Sequence, residues 1–112
     1  MDNIKNDDYY IRKILEDTEF IIIHMDGISK HELKKNEILQ DSMMFRLIQI
    51  SENAGHLTSD FKTVNSQIPW GDISGLRNRI VHDYGNVDLS IVYATLTDDI
   101  KHLYNMFKDI SF

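Results

Sequence analysis

Apolar residues recur along this chain at helical intervals. Ile11, Leu15, Thr18, Ile22 and Met25 step by 4, 3, 4 and 3 residues, which places them on one face of a helix. Met43, Leu47, Ile50, Ala54 and Leu57 repeat the rhythm, with Ile48 widening the stripe. Leu89, Val92, Leu96, Ile100, Leu103, Phe107 and Ile110 continue it over about six turns. None of these stretches alternates apolar and polar positions as a half-buried strand would. Stripes of this kind predict core faces rather than ligand pockets, because such a face is stable only when it is covered.

The breaks between stripes carry cap and turn chemistry. Gly27 suits a helix C-terminus, and Ser29 with Glu32 three residues later has the spacing of a capping box. A short helix is expected there, either running into the second stripe or bending before Ile38. Thr58–Pro69 holds Thr, Ser, Asp, Asn and the single proline, and reads as the longest loop. The spacing predicts a third helix over Trp70–Asp83, with Trp70, Ile73, Arg77, Ile80 and Tyr84 near one face. Gly85-Asn86-Val87-Asp88 breaks it, and Asp88 can cap the last helix. Four principal helices with short connections predict an all-α, up-and-down four-helix bundle with an additional short helix. One domain is expected over residues 1–112.

Composition narrows the class. Of 112 residues, 42% are hydrophobic and 27% charged, which fits a globular chain and neither a disordered tail nor a fibrous repeat. No run approaches the ~18 apolar residues of a membrane span. The acidic start, Met1 to Asp8, is unlike a secretory signal, so a cytoplasmic protein is expected. The absence of cysteine removes disulfides and thiolate metal sites. His24, His31, His56 and His102 show no ligand spacing, so neither metal nor cofactor is expected. Twelve Lys and Arg against eighteen Asp and Glu leave a net charge of −6, which repels phosphate on average. Binding to nucleic acid therefore requires a local basic site, concentrated by assembly of two or more chains.

One segment concentrates chemistry. Gly75-Leu76-Arg77-Asn78-Arg79-Ile80-Val81-His82-Asp83-Tyr84-Gly85 brings together two guanidinium groups, an imidazole, an amide and a phenol. A guanidinium presents a fork of donors matched to phosphate oxygens. An imidazole with a pKa near ~6.5 exchanges protons at neutral pH. Together they are a minimal set for attack on a phosphodiester. Arg77 and His82, however, lie ~140° apart around a continuous helix. Convergence then requires either unwinding near His82 or a site shared between two copies. Asn78 and His82, four residues apart, need neither. A purely structural use also fits the spacing: Arg79 paired with Asp83 on the surface, His82 at the helix C-terminal dipole, and Tyr84 as a half-buried aromatic.

The run Arg77-Asn78-Arg79-Ile80-Val81-His82-Asp83-Tyr84 resembles the Arg-x4-His-x-Tyr motif of the HepT-like family, a branch of the HEPN superfamily. A polar residue after the Arg is typical there, and Asn78 matches. Ile68-Pro69-Trp70 ahead of the motif, the helix around Ile48–Ala54 and the Asp88 cap extend the resemblance over essentially the whole chain. Gly85-Asn86 departs from the large apolar residue that often follows the tyrosine.

The resemblance implies a helical, dimeric, metal-independent ribonuclease: the toxin of a type VII toxin–antitoxin pair whose partner is an MntA-type minimal nucleotidyltransferase. By carry-over, Arg77 would polarise the scissile phosphate and His82 would act as general acid or base on RNA. Asn78 and Arg79 would bind or orient the phosphate, and Tyr84 would be adenylylated by the partner. Two other readings stand beside it. One is a non-catalytic helical subunit that presents substrate to, or supports, a nucleotidyltransferase, which suits the acidic net charge. The other is a plain α-helical dimerisation module.

Overall fold

Helix starts in this chain are built by side chains that accept hydrogen bonds from otherwise unpaired backbone N–H groups. Asn6 accepts from Tyr9 N, Thr58 from Phe61 N and Asp88 from Ser90 N. Ser29 and Glu32 form both halves of the expected capping box. The computed structural model describes residues 5–83 and 88–110, with backbone alone for residues 81–83. The helices are α1 (Asp7–Met25), α2 (Lys30–Lys35), α3 (Glu37–Gly55), α4 (Ser59–Val64), α5 (Trp70–Asp83), α6 (Leu89–Ala94) and α7 (Ile100–Asp109), with a π-helical turn at Thr95–Asp99 between the last two. No strand occurs among the described residues, so the fold is all-α.

Helix α1 packs on α3 and α7, and α3 in turn carries α5. The four long elements share one buried cluster, which includes Ile11, Ile14, Ile21, Leu47, Ile50, Ile73, Ile80, Leu96, Ile100 and Phe107. The second and last predicted stripes match it closely. In α1 the buried line is Ile11, Ile14, Thr18, Ile21 and Met25, with Leu15 and Ile22 half-buried at its margin. A helix covered by two neighbours buries a broad stripe, and its centre falls between the positions that one neighbour would select. Thr18 is tolerated there because its hydroxyl donates to Ile14 O at 3.0 Å.

Three local features differ from, or sharpen, the sequence reading. Gly27 adopts a φ of 73°, the left-handed conformation that ends α1. Asn36 ends α2 and caps α3, so the short helix bends before Ile38 rather than running on. Thr58–Pro69 is not a loop throughout, because α4 occupies its middle. That helix fully buries no side chain; half-buried Phe61 packs against the core, and its start is held by Asp7. The Asp7 carboxylate accepts from Thr58 N at 2.9 Å and from the Thr58 hydroxyl at 2.7 Å.

The last stripe spaces Val92, Leu96 and Ile100 four and four apart. In a regular α-helix those eight residues end ~80° off the starting face. The π-helical turn accommodates the offset and keeps all three buried. Among the described residues, no helix is long and apolar enough to cross a membrane.

Asp17 is the buried charge of the core, 5% exposed, and Arg46 meets it at 2.8 Å while lying over the Phe20 ring. Burial pushes the Asp17 carboxyl above its ordinary value of 3.8, and the hydrogen bond and charge of Arg46 oppose that rise. A carboxyl raised in the folded state adds stability only as pH falls; that contribution is lost as pH rises through the folded value. Arg46→Ala removes the opposition. We expect it to cost about 2 kcal/mol at neutral pH, less than the ~3–5 of a fully buried pair because Arg46 is partly exposed. Urea denaturation should show that deficit shrinking as pH is lowered toward the carboxylate range. An equal deficit at both pH values would contradict this account.

Candidate active site

The Arg–His segment lies on α5, and the start of that helix is clamped. Trp70, which follows Pro69, donates its Nε1–H to Lys62 O at 3.2 Å and Asn65 O at 3.1 Å, the last carbonyls around α4. Its ring meets Phe61 and Phe107 edge-on, with centroids 6.2 and 5.7 Å away. One turn on, Ile73 is buried, and Ile80 repeats the contact seven residues later. Ser51, buried on α3, donates its hydroxyl to Ser74 O at 3.3 Å. Helix α5 is thereby fixed in rotation as well as position.

That rotation sets what the motif presents. Arg77, Asn78 and Arg79 are all exposed. Arg77 is not on the core face with Ile73 and Ile80, as the spacing predicted; it borders α3, where its Nε lies 2.5 Å from Glu52 Oε1. The carboxylate sits at one edge of the guanidinium fork, whose remaining donors suit the oxygens of a phosphate. Arg79 lies at the rim of an open cleft of about 450 Å³ between α5 and the C-terminal helices, whose apolar wall includes Leu76, Ile91, Leu103 and Met106. Ile91 is 61% exposed there.

The helical backbone continues through His82 to Asp83. Unwinding at His82, one of the two routes to convergence with Arg77, does not occur. The backbone position of residue 82 lies ~140° around the axis from that of Arg77 and ~40° from that of Asn78. The side chain of His82 and the whole of Tyr84 lie outside the described residues. The structure thus brings Arg77, Asn78 and Arg79 to one exposed turn and adds Glu52. Sequence reasoning assigned Glu52 no role, although it lies in the Ile48–Ala54 helix already noted. An acid that pairs across helices leaves no local spacing signal.

Two other histidines are engaged elsewhere. His24 stacks on Phe20 with centroids 4.0 Å apart, and His56 stacks on Tyr10 at 4.8 Å. Among the described residues, no three His, Asp or Glu side chains converge to hold a metal.

The chain is similar to known proteins over most of its length. The model of a family described as Ribonuclease HepT-like matches residues 7–110. A candidate RNase of Caldanaerobacter subterraneus subsp. tengcongensis is 31% identical over 101 residues, 90% of each chain. A candidate ribonuclease HepT of Thermococcus cleftensis is 26% identical over 101 residues, 90% of this chain and 92% of that one. A candidate RNase of Methanocaldococcus jannaschii is 24% identical over 94 residues, 84% and 86% of the two chains. No solved structure matches.

Glu52 and Ser51 should separate in a stability measurement. The Arg77–Glu52 pair is 46% exposed on both sides, so Glu52→Ala is expected to change unfolding free energy by less than ~1 kcal/mol. Ser51→Val, which forces a branched side chain into the α3–α5 contact and removes its hydrogen bond, is expected to cost about 1–2 kcal/mol. Equal losses in urea denaturation would mean that Glu52 serves packing rather than Arg77.

Proposed function

The chain belongs to the HepT-like ribonuclease family, and from that membership we propose that it is the metal-independent, RNA-cleaving toxin of a type VII toxin–antitoxin pair. The observation that carries the reading is the exposed turn of α5, where Arg77 is oriented by Glu52 and Asn78 and Arg79 stand free of the core.

In the proposed reaction His82 takes the proton of a ribose 2′-hydroxyl, and the 2′-oxygen attacks the adjacent phosphorus. The bond to the 5′-oxygen breaks, and that oxygen leaves with a proton supplied by water. Arg77 neutralises charge developing on the phosphate oxygens, Asn78 orients the phosphate or the imidazole, and Arg79 adds positive potential. An arginine of one copy of the chain and an imidazole of another can face one phosphodiester. The ~140° separation along an unbroken α5 supports a site shared across a homodimer. So does the uncovered apolar cleft beside Arg79, because a second copy seated on it brings two α5 helices together. A dimer also doubles the arginines in one place, which offsets the net charge of −6 per chain.

Tyr84 follows α5 directly in the chain and is the proposed target of an MntA-type nucleotidyltransferase. Its phenolic oxygen would attack the α-phosphorus of ATP and expel pyrophosphate. The added nucleotide brings bulk and negative charge next to the motif helix, which opposes RNA binding. The acidic surface favours a second reading, a non-catalytic subunit that supports the nucleotidyltransferase. It predicts tight partner binding and no RNA turnover.

The test is cleavage of several RNAs by purified protein, with and without chelator, with intact mass recorded on the same sample. We expect chelator-resistant cleavage that falls by about 10²–10⁴-fold in His82→Ala. Tyr84→Phe should keep cleavage and lose the AMP-sized mass increase produced by the nucleotidyltransferase. Unmodified protein that cleaves none of the RNAs would favour the partner-binding reading.

A further inference from the structure

Helix α2 holds Lys30, His31, Lys34 and Lys35 within six residues of an acidic chain. At 100° per residue these four side chains span an arc of ~140°, with Glu32 beyond its edge. Leu33 points into the core, and the Glu32 carboxylate accepts from Ser29 N in the capping box. Most other cations have a committed partner. Arg12 pairs with Asp8, Lys13 with Glu16, Arg46 with Asp17 and Arg77 with Glu52, while Lys62 lies over Trp70. Among the described residues no carboxylate lies within ion-pair distance of the α2 lysines, and Lys30 Nζ meets only the neutral Ser90 hydroxyl, at 3.2 Å.

This arc faces the start of α6 across an open cleft of about 510 Å³ lined by Lys30, His31, Lys34, Asp88, Leu89 and Ser90. The Asp88 carboxylate there is occupied as the cap of α6. Helix α5 ends at Asp83, so no more than ~18 Å of chain separates its last residue from Asp88. The lysines therefore lie within one short connection of the end of the motif helix.

We propose that α2 is a phosphate-binding subsite for RNA, in which Lys30, Lys34 and Lys35 hold the backbone of the strand beside the phosphodiester addressed from α5. The inference rests on the ribonuclease reading for its substrate. Ammonium groups on long stems act as point charges, so this contact is independent of base sequence and adds affinity rather than chemistry. It also supplies the local basic surface that the overall charge denies.

The experiment measures binding of a fluorescent 2′-O-methyl RNA, which lacks the attacking hydroxyl, by anisotropy at several salt concentrations. The triple variant Lys30→Gln/Lys34→Gln/Lys35→Gln is compared with Lys5→Gln/Lys13→Gln/Lys108→Gln, which changes net charge equally. We expect the α2 variant to bind about tenfold more weakly at low salt, with its log–log salt slope reduced by about 2, while the control stays within about twofold. Cleavage of a dinucleotide substrate too short to reach α2 should keep its kcat. Equal losses in both variants, or unchanged binding in the α2 variant, would overturn the proposal. So would unchanged RNA binding with lost binding of a nucleotidyltransferase partner, which would make α2 a protein-docking face. Wild-type protein that binds but does not cleave would defeat the ribonuclease reading alone.

Discussion

Helix α5 is held along its length by α3, and the functional surface depends on that contact. Ile73 and Ile80 enter the core, Ser51 reaches Ser74 O, and Glu52 meets Arg77, so three successive turns are fixed by one neighbour. Trp70 adds a clamp at the helix start by joining Phe61 of α4 to Phe107 of α7. A small protein that fixes a helix so firmly on one side leaves the opposite flank open. Here that flank is the apolar cleft at Arg79, and the exposed turn between the two flanks carries the motif.

Charge acts at shorter range than the fold. With a net charge of −6, the chain as a whole offers nothing to a polyanion. Most of its cations are held by neighbouring acids or rings, which spreads neutral or negative surface over much of the molecule. Among the described residues, the α2 lysines and Arg79 of the α5 turn are among the cations held by neither an acid nor a ring. A net negative chain needs such local cations to hold a polyanion.

Much of the fold was legible in the sequence because it rests on periodicity and caps. The stripes of α3 and the C-terminal helices, the α5 boundaries, the Ser29–Glu32 box and the Asp88 cap depend on nearby residues and could be read from spacing. Helix α4 could not, because it is held by Asp7, fifty-one residues before Thr58, by the Trp70 indole and by the single apolar contact of Phe61 rather than by a periodic apolar face. The π-helical turn was equally hidden, although two consecutive four-residue steps in the last stripe are its trace. At the site, the motif residues were legible by type and spacing. The side of α5 on which Arg77 falls and its pairing with Glu52 were not, since both follow from how α3 and α5 pack.

The central claim is that the site is completed by two copies of the chain, and mixing tests it most directly. Arg77→Ala and His82→Ala proteins, each inactive alone, are combined under conditions that exchange subunits, with mixed dimers verified by native mass. A shared site regains one intact Arg77–His82 pair in each mixed dimer, so RNA cleavage should recover to about a quarter of the wild-type rate. Mixed dimers that form and remain inactive would contradict the account and require both groups to act from a single chain.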